Sequence, residues 1–192
     1  MMKSLLLVRH AHTEMAGRFC GHSDPDLSSA GRSQLAEIVV RLRQWPVSKV
    51  YASDLKRTIQ TAQAIASSLD NLSIQVRPGL REIHFGDWEG CTWEEIEAND
   101  PTTASAWLKD YPSYTAPGGE AFHDFQQRVR EELSVLAGIT NDECVAAVTH
   151  AGFIRTAISL VAEAPIVSIP QVDYGSVTEL QLVQQTWIVA GQ

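Results

Sequence analysis

Near its start the chain reads Leu5-Leu6-Leu7-Val8-Arg9-His10-Ala11-His12-Thr13. The apolar part of this segment is only four residues long and ends in charge, which is typical of a buried strand and too short for a signal peptide or a membrane span. We predict this strand over residues 4–9. Ligands of open α/β sheets bind at the carboxyl ends of the strands, so Arg9 and His10 stand where such a site is expected.

Strand and helix patterns alternate along the rest of the chain. Further strands are predicted over 47–52, 73–77 and 143–149, with a closing hairpin over 176–182 and 185–189. Helices are predicted over 28–45 (capped by Ser28 or Ser29), from about 54 (capped by Ser53 or Asp54), over 120–137 and over 152–162. The stretch 80–119 is rich in glycine and proline and should form short helices and loops. This pattern predicts one domain over residues 1–192, an α/β three-layer sandwich whose mainly parallel central sheet is flanked by helices.

The composition disfavours several classes of partner. The formal net charge is −8 over 192 residues and no block of lysine or arginine stands out, so neither nucleic acid nor a membrane is expected as a partner. The cysteines Cys20, Cys91 and Cys144 are odd in number and far apart, which indicates reduced residues and no metal site. We expect a cytoplasmic protein and leave a homodimer open.

A second histidine follows a second apolar run, in Val145-Ala146-Ala147-Val148-Thr149-His150. Because the carboxyl ends of parallel strands meet at one edge of a sheet, His10 and His150 are expected to share a crevice. Arg57 lies in the first turn of the helix after strand 47–52 and should reach the same edge, where Arg9 also stands. Two arginines, two histidines and helix N-termini together predict a site for an anion.

These residue types suit phosphoryl transfer. A neutral imidazole is a good nucleophile, arginine forks match the oxygens of a transferred phosphoryl group, and His150 would add a charged donor if protonated. The leaving alkoxide needs a proton from an acid with a raised pKa. Glu82 is flanked by apolar and aromatic residues that could raise its pKa, while Asp87 and Glu89 remain alternatives.

Four segments in this order resemble the signatures of the histidine phosphatase superfamily, also called the phosphoglycerate mutase-like family. They are Arg9-His10-Ala11-His12-Thr13, residues 53–62, residues 82–90, and Thr149-His150-Ala151-Gly152. The resemblance spans residues 4 to about 182, nearly the whole chain. Two positions depart from the family pattern, since Ala11 replaces the usual glycine and Ala16 replaces an asparagine that helps to hold substrate.

The resemblance implies a role for each matching residue. His10 would take up the phosphoryl group, and Glu82 would give a proton to the leaving group and then activate water. Arg9, Arg57 and His150 would form the phosphate pocket. Weaker contacts with substrate are implied for Thr13, Cys20, Gly21 and Ala151. The substrate would be a small phosphorylated metabolite, and no cofactor or metal is implied.

Within the family the chain looks more like a hydrolase than like a mutase. The chain is short and the segment after Glu82 is acidic, which disfavours phosphoglycerate mutase-type transfer through a bisphosphate. Residues 85–90 and 117–129 resemble the α-ribazole phosphatase branch of cobalamin biosynthesis, and broad-specificity phosphatases share much of this pattern. Two further alternatives are a zinc-dependent hydrolase that uses His10 and His12, with His150 and a carboxylate, as ligands, and a phosphate-binding module without catalysis.

Overall fold

The computed structural model describes residues 3–139 and 144–191, and its centre is a six-stranded sheet. The strands are β1 (Lys3–Arg9), β2 (Val47–Ala52), β3 (Ile74–Val76), β4 (Cys144–Thr149), β5 (Val177–Val183) and β6 (Thr186–Gly191). Their order is β3-β2-β4-β1-β5-β6. The first four pair in parallel, and β5 and β6 pair in the antiparallel sense, so the prediction of a mainly parallel sheet is confirmed. Residue 143, predicted in β4, lies outside the described residues.

Helices cover both faces of the sheet. They are α1 (Ser29–Leu42), α2 (Lys56–Ser68), α3 (Trp93–Asn99), α4 (Pro101–Asp110), α5 (Phe122–Ile139) and α6 (Ala151–Val161). Successive side chains of a strand point to opposite faces. Accordingly Leu6 and Val8 of β1 join the core beneath α1 and α2, while Leu5 and Leu7 join the core beneath α5 and α6. The three-layer sandwich is therefore confirmed.

The stretch between β3 and α5 holds a smaller core of its own. Trp88, Ile96 and Ala104 are buried there, and the rings of Trp93 and Trp107 pack against them. Helix α3 begins with a capping box in which Thr92 and Glu95 exchange hydrogen bonds, as expected for a short helix that needs its ends satisfied. This aromatic unit supplies part of the wall of the site described below.

The predicted cap of α2 is wrong. The helix begins at Lys56 after Leu55, which offers no capping side chain. Ser53 is instead hydrogen-bonded to His150 over 3.0 Å, and Asp54 pairs with Arg81 over 2.5 Å. The polar residues before this helix are thus engaged in tertiary contacts. The other cap prediction holds for Ser28, whose Oγ accepts a hydrogen bond from the backbone of α1, but α1 ends at Leu42, three residues earlier than predicted.

The three cysteines are free, as predicted. Among the described residues, none of the helices combines the length and apolar character that crossing a membrane requires.

Candidate active site

A cavity of about 270 Å³ opens at the carboxyl end of β1, and we call it the His10 cavity. Six of the residues singled out from the sequence line it: Arg9, His10, Thr13, Cys20, Glu82 and Ala151. The remaining three, Gly21, Arg57 and His150, lie behind this wall. The ring centroids of His10 and His150 are 5.1 Å apart, so the two histidines meet as the parallel strands require.

His10 is held as a neutral imidazole. Its ring is buried, and Nδ1 lies 2.8 Å from the carbonyl oxygen of Ala11. A carbonyl oxygen only accepts, so Nδ1 carries the proton and Nε2 keeps its lone pair. Burial, followed by the charge of Arg57, holds the pKa of His10 well below its usual range. The histidine therefore has the protonation state that a nucleophile needs.

The guanidinium of Arg9 carries one N–H group, at Nε, that has no hydrogen-bond partner among the described residues. Its guanidinium stacks on the ring of Tyr174 at 3.5 Å, and Nη1 donates to the carbonyl of Val172 over 2.6 Å. Its Nε is buried and finds no hydrogen-bond partner within residues 3–139 and 144–191. Burial lowers the pKa of Arg9, although nearby Tyr174 and Glu82 act in the opposite direction. A buried cationic donor left unpaired is costly, and the rest of the guanidinium lines the His10 cavity, where an anion would be favoured.

Tyr174 is a member of this site that the sequence analysis missed. Besides stacking on Arg9, its ring lies edge-on to His10 with centroids 5.6 Å apart. A signal for it was available, because Gly175 marks a turn just before β5. An antiparallel neighbour of β1 must begin at the carboxyl end of β1. The residues before β5 therefore reach the same edge as His10, and Gly175 N donates to the carbonyl of Arg9 over 3.1 Å.

Arg57 and His150 form a buried pair behind the cavity wall. Arg57 donates from Nη1 to Ser23 O over 2.6 Å, from Nη2 to Gly21 O over 2.7 Å, and from Nε to His150 Nδ1 over 3.2 Å. Because an arginine only donates, Nδ1 of His150 accepts, and its Nε2 donates to Ser53 over 3.0 Å. With Cys20 O also accepting from Nη2 over 3.3 Å, four of the five N–H groups of Arg57 are engaged, and a phosphate oxygen could replace one of these partners or bind the remaining N–H of Nη1.

His150 therefore differs from the charged donor considered in the sequence analysis. Burial, and after it the charge of Arg57, holds the pKa of His150 well below its usual range. A buried imidazole beside a permanent cation is stable in its neutral form. In this arrangement Arg57 contributes positive charge to the site, and His150 orients Arg57 and packs against His10.

Glu82 lies at the N-terminus of α6. Its Oε2 accepts a hydrogen bond from Gly152 N over 2.8 Å, and its Oε1 accepts one from Ile83 N over 3.0 Å. Burial raises the pKa of Glu82 in spite of these two bonds. Gly152 permits this approach, because a Cβ at that position would collide with Glu82 Oε1. The carboxyl group thus has a raised pKa and lines the same cavity as His10.

Asp87 and Glu89, the alternative candidates for the proton donor, do not line the His10 cavity. Glu89 accepts hydrogen bonds from the backbone of Gly21, His22, Ser23 and Phe85, at 2.8 to 3.1 Å. Burial alone would raise the pKa of Glu89, but bonds from Ser23, Phe85 and His22 together lower it. Asp87 is exposed. Of these three carboxylates only Glu82 lines the His10 cavity.

Glu89 orders the loop that holds Arg57, because the same residues that donate to its carboxylate present their carbonyls to Arg57. We expect Glu89→Gln to lower the free energy of unfolding by about 2–3 kcal/mol, since an amide nitrogen would face backbone donors. The exposed neighbour gives the control, and Asp87→Asn should change stability by less than about 0.5 kcal/mol. Urea denaturation at neutral pH measures both.

The pH dependence of this effect has a defined sign. The folded-state pKa of Glu89 is lowered, so its contribution to stability is present above the ordinary carboxyl pKa and is lost as the pH falls through the lowered value. The stability difference between wild type and Glu89→Gln should therefore shrink on acidification. A difference that stays constant down to strongly acidic pH would show that the charge of Glu89 is not what orders the loop.

The described residues offer no set of ligands that matches the zinc-dependent hydrolase considered above. Nδ1 of His12 lies 2.8 Å from the hydroxyl of Ser28, and Nδ1 of His10 is engaged by Ala11. In the parts of the chain that the structure describes, no three His, Cys, Asp or Glu side chains are grouped so that they could hold a metal ion.

The chain is similar in sequence and in fold to several known phosphatases. The chain is 30% identical over 167 residues to an adenosylcobalamin/α-ribazole phosphatase of Salmonella typhimurium, covering 86% of this chain and 82% of that protein. It is 33% identical over 190 residues to a metal-independent phosphoserine phosphatase of Arabidopsis thaliana, covering 96% and 79% of the two chains. The crystal structure of an α-ribazole phosphatase from Shigella flexneri superimposes with a TM-score of 0.89 at 26% identity, covering 98% of this chain and 95% of that one.

The family model that matches is that of the histidine phosphatase superfamily (branch 1), over residues 5–191. This match includes all four segments from which the resemblance was first drawn, and the fold agrees with that of solved members at full length. The chain belongs to the histidine phosphatase superfamily.

Proposed function

We propose that the chain is a metal-independent phosphomonoester hydrolase that acts on a small phosphorylated metabolite through a phosphohistidine on His10. One observation carries the proposal: the imidazole of His10, whose Nδ1 is engaged by Ala11, lines the same cavity as the guanidinium of Arg9 and the carboxyl of Glu82, whose pKa is raised. Nucleophile, anion-binding donor and acid are the three groups that phosphoryl transfer to a side chain requires.

In the first step His10 Nε2 attacks phosphorus and the bond from phosphorus to the ester oxygen breaks. Glu82 gives its proton to that oxygen, so the alcohol leaves neutral and Glu82 becomes a carboxylate. Nδ1 of His10 keeps its proton, and the Ala11 carbonyl stabilises the positive charge that develops on the ring. Arg9, together with the charge of Arg57 behind it, would offset the charge on the phosphoryl oxygens, and the neutral His150 would hold Arg57 in place.

In the second step water attacks the phosphorus of phosphohistidine and the bond to Nε2 breaks. The Glu82 carboxylate takes the proton of that water, which returns Glu82 to its acid form and releases phosphate. Of the weaker contacts, Thr13, Cys20 and Ala151 line the cavity and would meet substrate directly. Gly21 would act through its backbone, since its carbonyl holds Arg57.

The finer proposal for the substrate is α-ribazole 5′-phosphate, which would place the chain in cobalamin biosynthesis. The relative from Salmonella typhimurium and the structure from Shigella flexneri support this choice. The relative from Arabidopsis thaliana makes phosphoserine the natural competitor. Mutase-type transfer is disfavoured because the acidic stretch after Glu82 would repel a bisphosphate.

Hydrolysis of p-nitrophenyl phosphate with and without EDTA tests the reaction class. We expect turnover that the chelator leaves unchanged and that inorganic vanadate inhibits. Loss of turnover on chelation, restored by zinc, would instead identify a metal hydrolase. Tight binding of vanadate without turnover of any ester would identify a binding module.

A further inference from the structure

A second cavity, of about 200 Å³, adjoins the His10 cavity. The two share Phe19, Glu82, Phe85 and Ala151 as common walls. We call the second one the aromatic chamber, because its rings include Phe19, Phe85, Trp107, Tyr114, Phe122 and Phe125. Nothing in the two catalytic steps proposed above uses this chamber.

Glu82 lies at the junction of the two cavities. A phosphoryl group on the His10 side would present its ester oxygen to Glu82, which must protonate that oxygen. The rest of the leaving alcohol then has to extend away from His10, past Glu82. The space on that side is the aromatic chamber, so its walls would contact the organic part of the substrate.

Two charged residues of the chamber wall, Glu120 and Arg155, make hydrogen bonds within the protein. Glu120 pairs with Arg128 through two bonds, of 2.7 and 3.0 Å. Arg155 donates three hydrogen bonds to the carbonyls of residues 166 and 169, at 3.0 to 3.2 Å. Aromatic and apolar side chains make up most of the rest of the wall, which favours a ligand with a planar apolar group.

The size of the chamber further limits the class of ligand that can bind there. A cavity of about 150 Å³ lined by apolar side chains is enough to bind benzene. The 200 Å³ of the chamber therefore suits one aromatic ring system with a short linker to the ester oxygen. Edge-to-face contacts with the surrounding rings would add to the burial of such a group.

We propose that the aromatic chamber is the leaving-group subsite and that the substrates are phosphomonoesters of alcohols that carry an aromatic ring. This proposal rests on the proposed hydrolysis through His10 and adds to it the chemical class of the alcohol. The chamber selects by burying the ring, while Arg9, His10 and Glu82 treat all phosphomonoesters alike.

A matched pair of esters tests the subsite. 2-Phenylethyl phosphate and ethyl phosphate both release a primary alcohol of similar acidity, so they make the same demand on Glu82. We expect kcat/KM to be roughly 10- to 100-fold higher for the phenylethyl ester, as burial of one ring implies. O-phosphoserine should be no better a substrate than ethyl phosphate. The ratio for the two esters does not depend on the fraction of enzyme that is folded.

Variants locate the preference in the chamber. Phe122→Ala and Tyr114→Ala should each lower the phenylethyl-to-ethyl ratio by roughly three- to tenfold. Trp45→Ala removes a half-buried aromatic side chain on the α1 and α2 side of the sheet and should leave the ratio unchanged.

The outcomes separate the two proposals. A wild-type ratio near one, or a preference for phosphoserine, overturns the subsite and leaves hydrolysis through His10 standing. A high ratio that neither chamber variant lowers also overturns the subsite. Failure of the wild-type protein to hydrolyse any phosphomonoester overturns both proposals.

Discussion

Replacing His10 with alanine is expected to lower kcat for p-nitrophenyl phosphate by roughly 10³-fold or more, because the phosphoryl group then has no side chain to which it can transfer. Arg9, Glu82 and the rest of the cavity wall remain in this variant. Binding of inorganic phosphate or vanadate should therefore persist, and KM should change much less than kcat. Steady-state kinetics and vanadate inhibition measure the two effects separately.

His12→Gln is the matched control for this variant. His12 lies two residues further along the chain, and its ring is turned to Ser28 and Tyr174 and does not line the His10 cavity. We expect its kcat to stay within about tenfold of wild type. Circular dichroism would confirm that His10→Ala keeps its fold. Retained turnover in a folded His10→Ala protein would refute the phosphohistidine mechanism.

Replacing Glu82 with glutamine should slow the hydrolysis of alkyl phosphates by roughly 10²- to 10⁴-fold, the usual contribution of a general acid. Hydrolysis of p-nitrophenyl phosphate should change by less than about tenfold in its first step, because nitrophenolate leaves without a proton. The burst of nitrophenolate in the first turnover isolates that step from the later attack of water. An equal loss with both esters would mean that another group supplies the proton.

The pH profile gives a second measure of Glu82. Burial raises its pKa, so the acid form persists to higher pH than in an ordinary glutamate, and the rate with alkyl esters should fall as the pH rises through that raised value. Burial and the charge of Arg57 lower the pKa of His10, so the nucleophile stays neutral well into the acid range. The pH optimum for alkyl esters should lie between the lowered pKa of His10 and the raised pKa of Glu82. Glu82→Gln should lose the alkaline limb, and Asp87→Asn should keep it.

The layered architecture and the meeting of His10 with His150 could be predicted from the sequence because both follow from simple periodicities. Apolar runs that end in charge identified β1 and β4, and the rule that parallel strands share an edge brought His10 and His150 together. These inferences needed no knowledge of side-chain packing. They therefore hold although the predicted ends of some helices are wrong by a few residues.

The roles that the sequence could not predict depend on which polar groups find partners in the fold. Glu89 and Glu82 look alike in the sequence. The carboxylate of Glu89, however, accepts hydrogen bonds from backbone N–H groups, and of the two residues only Glu82 lines the His10 cavity. Ser53 looks like a helix cap and is instead a partner of His150. Tyr174 is far from every motif and reaches the site because β5 runs antiparallel to β1. Choices of this kind are made by tertiary hydrogen bonding, which local pattern does not encode.

The position of β1 in the sheet also bears on biosynthesis. This strand is translated first, but its neighbours are β4 and β5, whose residues emerge from the ribosome well over a hundred positions later. A nascent chain therefore carries His10 without the strands that bury it until β4 and β5 have been translated. Contacts so distant in sequence form slowly. The sheet around His10 should form only after β5 has emerged from the ribosome, and fragments that stop before β5 should lack it and should need chaperone protection.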